Sequence, residues 1–149
     1  MSGDLHFKEV IRPPLWLLLF IALLLLSMVI AIWAAFDNRA ALYSAIVALF
    51  LLALFYRSNI HRIEIVNGEL RVGGAHIELK YLGDVKLLSQ AEFLIARTRN
   101  LDPAAYPALI YWVSRGVQIS IDDSRDSTPY WLISTRRGEE LRTLLANRL

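Results

Sequence analysis

Apolar residues dominate one long stretch near the N-terminus of the chain. Between residues 15 and 56, charged or amide side chains occur only at Asp37, Asn38 and Arg39. As helices, residues 15–36 reach about 33 Å and residues 40–56 about 25 Å, compared with a bilayer hydrocarbon core of about 30 Å. The pattern predicts two membrane spans joined by a tight turn, a two-helix transmembrane hairpin over residues 15–56.

Beyond the second span, apolar and polar residues alternate with the period of a β-strand. Ile63 and Ile65 alternate with charged neighbours, Asn67-Gly68 is typical of a tight hairpin turn, and Leu70 and Val72 alternate again. Further strands are expected at residues 75–80, 84–88, 109–113, 117–121 and 130–134, and helices at 90–99 and 139–149. The chain has room for one such domain of about 90 residues.

Basic residues near the ends of the hairpin predict its orientation. Lys8 and Arg12 precede the first span and Arg57 and Arg62 follow the second, whereas the turn carries only Arg39, beside an aspartate. Under the positive-inside rule this predicts a multi-pass plasma-membrane protein with both termini cytoplasmic. The expected divisions are a cytoplasmic segment at 1–14, the hairpin at 15–56 and a cytoplasmic domain at 57–149.

Composition and motifs argue against several classes of function. The chain has no cysteine, so disulfides, iron–sulfur ligation and thiol chemistry are excluded, and its net charge of +2 gives little support for nucleic-acid binding. It contains neither a nucleophile elbow nor a glycine-rich phosphate loop, and its histidines lack zinc-binding spacing. Asp122, Asp123 and Asp126 fit no established calcium loop. We therefore expect no catalytic residue, no cofactor and no metal.

The order of elements resembles a known fold class. About seven short antiparallel strands followed by one C-terminal amphipathic helix resemble a pleckstrin-homology-like barrel, and residues 130–141 (YWLISTRRGEEL) resemble the last strand and capping helix of its bacterial members. Residues 7–9 (FKE), 101–106 (LDPAAY) and 126–131 (DSTPYW) together resemble an actinobacterial family of small two-span membrane proteins of unknown function. Gly138 stands where that resemblance implies proline. The resemblance implies an α+β pleckstrin-homology-like domain after the hairpin, and no activity.

Four large aromatic residues mark a candidate partner surface. Tyr111 and Trp112 lie in one predicted strand, and Tyr130 and Trp131 in another. Because neighbouring strand residues point to opposite faces, at least two should face outward unless the helix containing Phe93 covers them. Trp112 and Trp131 are the residues most expected to contact a partner.

Two further sets of residues are candidates for contacts with lipid and within the hairpin. The candidates for binding anionic lipid headgroups are Lys80, Lys86, Arg136 and Arg137. The first domain turn, Asn67-Gly68-Glu69, lacks the basic residues of lipid-binding pleckstrin-homology domains. Small residues recurring every fourth position are expected to let the two spans pack together: Ser27, Ala31 and Ala35 on the first, and Ala40, Ser44 and Ala48 on the second.

These observations predict a non-enzymatic, membrane-anchored binding or assembly module that presents its domain on the cytoplasmic face of the plasma membrane. The expected partners are membrane lipids and a membrane-associated protein or a second copy of the chain. The alternative is an anionic-lipid sensor or lipid-handling accessory protein. An enzyme would require a pocket with convergent polar groups, which the sequence does not indicate.

Overall fold

The structure is a computed structural model that describes residues 5–147. The chain divides into two compact units. One unit is the helical segment Arg12–Ile60, and the other combines the residues before Arg12 with those from His61 onward.

Two long apolar helices form the helical unit, as the sequence predicts. Helix α1 spans Leu15–Ala35 and helix α2 spans Asn38–Ser58, and both are long and apolar enough to cross a membrane. The turn is held at its N-cap, where a carboxylate oxygen of Asp37 accepts a hydrogen bond from the Ala40 N–H at 2.8 Å. Trp33 Nε1 also donates to Asn38 Oδ1 at 2.7 Å. These bonds satisfy donors at the turn between two apolar segments.

The first sheet of the other unit contains four antiparallel strands in the order β1-β2-β3-β4. Their bounds are Leu5–Ile11, His61–Val66, Glu69–Val72 and Ala75–Glu78. The predicted β2–β3 hairpin is confirmed: Asn67 and Gly68 have φ angles of 53° and 77°, as its two-residue turn requires. The third predicted strand ends earlier than expected, because Leu79–Tyr81 form a short 3-10 helix.

Strand β1 is absent from the sequence-based assignment. It pairs with β2 along its length, from Phe7 opposite Ile65 to Ile11 opposite His61. Phe7 and Ile11 are almost completely buried and belong to the main hydrophobic core. Residues 5–11 therefore form part of the β domain.

The second sheet has the order β5-β7-β8-β6. These strands span Leu82–Leu88 (β5), Tyr106–Ala108 (β6), Gly116–Ile121 (β7) and Tyr130–Ser134 (β8). Helix α3 (Gln90–Thr98) follows β5 and helix α4 (Gly138–Ala146) follows β8, close to the predicted positions. Residues 148 and 149 of the predicted C-terminal helix lie outside the described residues.

The predicted strand at residues 109–113 is wrong. The strand in this region is β6, three residues long, and it runs parallel to β8 instead of forming a hairpin with β7. The backbone donors after β6 have other partners, since Ile110 N–H donates to Ser134 Oγ at 2.8 Å and Val113 N–H to the Ile110 carbonyl at 3.1 Å. A turn thus replaces the expected ladder.

The two sheets share one hydrophobic core but do not join into a closed barrel of hydrogen-bonded strands. Both sheets contribute to this core, for example through Ile65 and Leu70 on one side and Ile119 and Ile133 on the other. Leu141 and Leu145 of α4 complete it. The expectation of a closed barrel is therefore not met, although the order of strands and C-terminal helix agrees with an α+β domain.

Candidate functional site

Trp131 lies in the core and does not face solvent. Only 5% of its surface is exposed, and its ring packs at a tilt against Tyr106, with 4.8 Å between the ring centroids. Tyr106 lies opposite Trp131 in the parallel β6–β8 pair, which the sequence-based assignment lacks. The outward orientation expected of Trp131 is therefore not found.

Tyr130 is half-buried on the opposite side of β8, against the cluster that contains Phe93. Its hydroxyl accepts a hydrogen bond from the Asp102 N–H at 2.9 Å and donates to the Asn100 carbonyl at 3.2 Å. These two bonds fix the segment that follows α3. Tyr130 therefore has an internal structural role.

Trp112 and Tyr111 differ sharply in exposure. Trp112 is half-buried against the main core, with its ring centroid 6.2 Å from that of His61, and partial burial lowers the pKa of His61. The buried Nε1 of Trp112 has no hydrogen-bond acceptor among residues 5–147. Tyr111 is 91% exposed. Of the four aromatic candidates, Tyr111 is the one left largely on the surface.

Helix α3 carries an exposed apolar face that the sequence analysis does not single out. Phe93 is fully buried, whereas Leu94 and Ile95 are 51% and 46% exposed, and Ala91 lies exposed one turn earlier. The helix starts at a complete capping box, in which Ser89 Oγ accepts from the Glu92 N–H and Glu92 Oε2 accepts from the Ser89 N–H at 2.9 Å. The sequence signal for this face is the unbroken apolar run Phe93-Leu94-Ile95. A short helix can bury only one side, so some residues of such a run must be exposed.

Two of the four headgroup candidates already have acidic partners. Lys80 Nζ lies 2.6 Å from a Glu78 carboxylate oxygen and 4.7 Å from the centroid of the Tyr81 ring, and the hydrogen bond that Lys80 donates to Glu78 raises the pKa of Lys80. The Arg137 guanidinium binds Glu140 through two contacts, at 2.5 and 2.8 Å, and donates to the Lys8 carbonyl. These pairs reduce the positive charge that the two side chains offer to an anionic surface.

The other two candidates, Lys86 and Arg136, are exposed and have no ion pair among residues 5–147. Lys86 lines a cleft of about 500 Å³ along β5 and β7 that also contains Arg142. Arg136 lines two other clefts, both shared with Arg115. Lys86 and Arg136 therefore do not share a cleft.

Two carboxylates of the acidic loop after β7, those of Asp123 and Asp126, bind groups within the loop. Asp123 binds the Arg125 side chain, with Oδ1 3.1 Å from Nε, and Arg125 lowers the pKa of that carboxyl group. An Asp126 carboxylate oxygen accepts the Thr128 N–H at 2.9 Å. Within the described part of the chain, no three His, Cys, Asp or Glu side chains group closely enough to hold a metal ion.

Of the two sets of small residues expected to pack between the helices, the set on α1 faces elsewhere, whereas the set on α2 is buried or half-buried. Ser27, Ala31 and Ala35 are all exposed, so the expectation that they face α2 is wrong. On α2, Ala48 is buried and Ala40 and Ser44 are half-buried. Helix α1 instead brings larger residues to this side, since a groove of about 310 Å³ between the helices is lined by Ala22, Leu25, Leu26 and Val29 opposite Ala45, Ala48, Leu49 and Leu52.

Comparison with known proteins identifies the family of the chain. The match covers residues 6–145, which include β1, both apolar helices and nearly all of the β domain. The chain belongs to the family described as "Protein of unknown function (DUF3093)". No curated protein and no solved structure matches it.

Proposed function

We propose that this protein is a non-enzymatic binding or assembly module, anchored in the plasma membrane by α1 and α2 and presenting its β domain to the cytoplasm. The observation that carries the proposal is the exposed apolar face of α3. The same chain also contains two candidate membrane spans. Tethering at a membrane raises the effective concentration of partners, so even weak contacts suffice for assembly.

The path of the chain supports a single membrane side for the whole β domain. Strand β1 precedes α1, strand β2 follows α2, and the two strands are paired residue by residue. Two spans return the chain to the side from which it started, as this pairing requires. The basic residues flanking the hairpin favour the cytoplasm as that side, under the positive-inside rule.

The relationship to pleckstrin-homology-like domains and to actinobacterial two-span proteins is part of this proposal. In its favour are two mainly antiparallel sheets around one core and an amphipathic helix after the last strand. The parallel β6–β8 pair and the gap between the sheets are departures from a closed antiparallel barrel. Gly138 allows close packing of Leu87, because a Cβ atom at position 138 would lie 2.8 Å from Leu87 Cδ1.

The apolar face of α3 is suited to a protein partner. Leu94 and Ile95 together expose two large side chains beside Ala91, and interface cores favour such apolar anchors. Arg97 stacks near Phe93, with 5.8 Å from its guanidinium carbon to the ring centroid, so it lies toward the buried side of the helix. We place the contact surface on this face, with Tyr111 as a separate exposed aromatic residue.

The test is quantitative mass spectrometry of proteins that co-purify with the tagged full-length chain in native membrane discs. Leu94→Ser combined with Ile95→Ser should remove a near-stoichiometric partner. The control is Val10→Ser, which changes a 38% exposed apolar residue on strand β1 and should retain the partner. A differently tagged copy of the chain in the same experiment identifies self-association. Absence of any stoichiometric protein, or equal loss in both variants, would contradict the proposal.

A second candidate function is anionic-lipid sensing or an accessory role in lipid handling. The observation in its favour is that Lys86 and Arg136 are exposed without ion pairs among residues 5–147. Enrichment of one anionic lipid in the same discs, without a protein partner and reduced by Lys86→Gln or Arg136→Gln, would favour this function.

A further inference from the structure

Two arginines and a half-buried tryptophan line one small cleft of the β domain. The cleft has a volume of about 290 Å³ and is formed by Trp112, Val113, Ser114, Arg115 and Arg136. Residues 112–115 lie between β6 and β7, and Arg136 lies between β8 and α4. None of the five side chains carries a negative charge.

The backbone holds Arg115 and Arg136 beside each other. Thr135 N–H donates to the Arg115 carbonyl at 3.2 Å, which continues the β7–β8 pairing beyond the last ladder residues. Glu9 of β1 also binds this segment. One of its carboxylate oxygens accepts the Arg136 N–H at 2.9 Å, and the other accepts a hydrogen bond from the Thr135 hydroxyl. Glu9 is 7% exposed. The main chain that carries both arginines is therefore ordered before any ligand binds.

The guanidinium groups themselves have no acidic partner. Arg115 and Arg136 are exposed and form no ion pair among residues 5–147, in contrast to Arg71, Arg125 and Arg137. Glu92 and Glu139 line the larger adjoining cleft, but Glu92 is already engaged in the capping box of α3. Both arginines are thus available for an external anion.

The indole of Trp112 adds an independent observation. Its Nε1 is buried and lacks an acceptor in the described part of the chain, and a buried unpaired donor is uncommon because desolvation costs free energy. Arginine forks bind phosphate oxygens in pairs, and an indole N–H is a donor only. The cleft is therefore lined by two arginines without acidic partners among residues 5–147 and by a tryptophan whose buried N–H lacks an acceptor there.

We propose that the cleft formed by Trp112, Ser114, Arg115 and Arg136 is a binding site for a phosphate-bearing group. The ligand is either the phosphate of a lipid headgroup or a soluble phosphate compound. This inference is independent of the assembly function, because it uses a surface distinct from the apolar face of α3.

The test follows the Trp112 indole signal by NMR in the ¹⁵N-tryptophan-labelled full-length protein, held in phosphatidylcholine discs. The signal is assigned with Trp112→Phe, and the other three tryptophans report on the fold. One arm titrates inorganic phosphate against chloride at equal ionic strength. The other arm compares discs with and without phosphatidic acid. We expect a saturable shift of the Trp112 signal in one of the two arms, and that arm identifies the source of the phosphate.

The variant Arg115→Gln with Arg136→Gln should weaken binding at least about tenfold, because it removes two charged donors. The matched control is Arg62→Gln with Arg99→Gln, which removes the same charge from two exposed arginines that lie outside the cleft and have no ion pair among residues 5–147, and it should leave the affinity unchanged. If the first variant does not fold, Arg115→Lys with Arg136→Lys keeps the charge but loses the fork, and should also weaken binding. Absence of a shift in both arms, or equal weakening in the control, would overturn the proposal.

Discussion

Gly116 lies where neighbouring atoms leave no room for a side chain. A Cβ atom there would lie 2.5 Å from Phe93 Cε2 and would overlap the Ile133 carbonyl oxygen. The first residue of β7 therefore allows close approach both of β8 and of the buried face of α3. Phe93 can be fully buried because this position has no side chain.

Gly116→Ala should lower the free energy of unfolding by about 1–3 kcal/mol, because the backbone must move to accept the methyl group. The measurement is pulse proteolysis in urea on the protein in discs. Gly74→Ala is the matched control, since a Cβ atom at that position would have nothing within 4 Å, and it should change stability by less than about 1 kcal/mol. Equal losses in the two variants would contradict this account.

His61 gives the domain a defined pH response. Burial beside Trp112 lowers its folded-state pKa below the ordinary value of 6.5, so the unfolded chain binds the proton more readily. The contribution of neutral His61 to the free energy of unfolding is fully present above pH 6.5. It decreases as the pH falls from 6.5 toward the folded-state pKa. The urea concentration at the midpoint of unfolding should therefore fall less steeply with decreasing pH in His61→Gln than in the unaltered protein. An unchanged slope would show that other groups cause the response.

At the scale of elements, β1 is held by more than its strand pairing. Glu9 connects it to the turn between β8 and α4, far along the chain, and Arg137 donates to the Lys8 carbonyl at 2.8 Å. Removing a buried acceptor leaves its donors unpaired, which costs more than the loss of an exposed ion pair.

Glu9→Ala should therefore destabilise the domain by about 1–3 kcal/mol, since the Arg136 N–H and the Thr135 hydroxyl both lose their acceptor. Hydrogen exchange of β1 and of the first turn of α4 should accelerate together. Glu64→Ala, which removes the surface partner of Lys8 at 3.6 Å, should cost less than about 1 kcal/mol. Faster exchange in β1 alone would show that the Glu9 contact does not couple the two elements.

Elements defined by local patterns could be predicted from the sequence, and those defined by distant partners could not. The two apolar helices, the Asn67-Gly68 hairpin and the capped helix α3 each depend on neighbouring residues. Strand β1 depends on β2, which lies beyond both helices, and β6 depends on β8. The burial of Trp131 follows from that same β6–β8 pair, which explains why its expected exposure is wrong.

The candidate surfaces show the same limit. Residue type indicates a cation at Lys80 or Arg137, and the structure pairs each with a glutamate close in sequence, Glu78 or Glu140. The unpaired Arg115 and Arg136 lie beside each other because β7 and β8 pair. The exposed side of α3 depends on which of its apolar residues packs on the sheet.

At the scale of the whole molecule, the proposed topology is directly testable because the chain has no cysteine. Single cysteines at Asn38, Lys8 and Ala104, which are all exposed, provide unique labelling sites. In intact cells a membrane-impermeant thiol reagent should label Asn38→Cys, whereas Lys8→Cys and Ala104→Cys should react only after lysis. The reverse pattern would invert the orientation, and labelling of Lys8→Cys and Ala104→Cys from different sides would contradict the hairpin.

The pairing of β1 with β2 also has a consequence for biogenesis. Strand β1 is synthesised first, but its partner emerges only after both apolar helices have left the ribosome. If only one helix were inserted, the two strands would lie on opposite sides of the bilayer, and the buried residues Phe7 and Ile11 would have no sheet to pack into. Under the proposed topology, completion of the β domain therefore requires correct insertion of both helices.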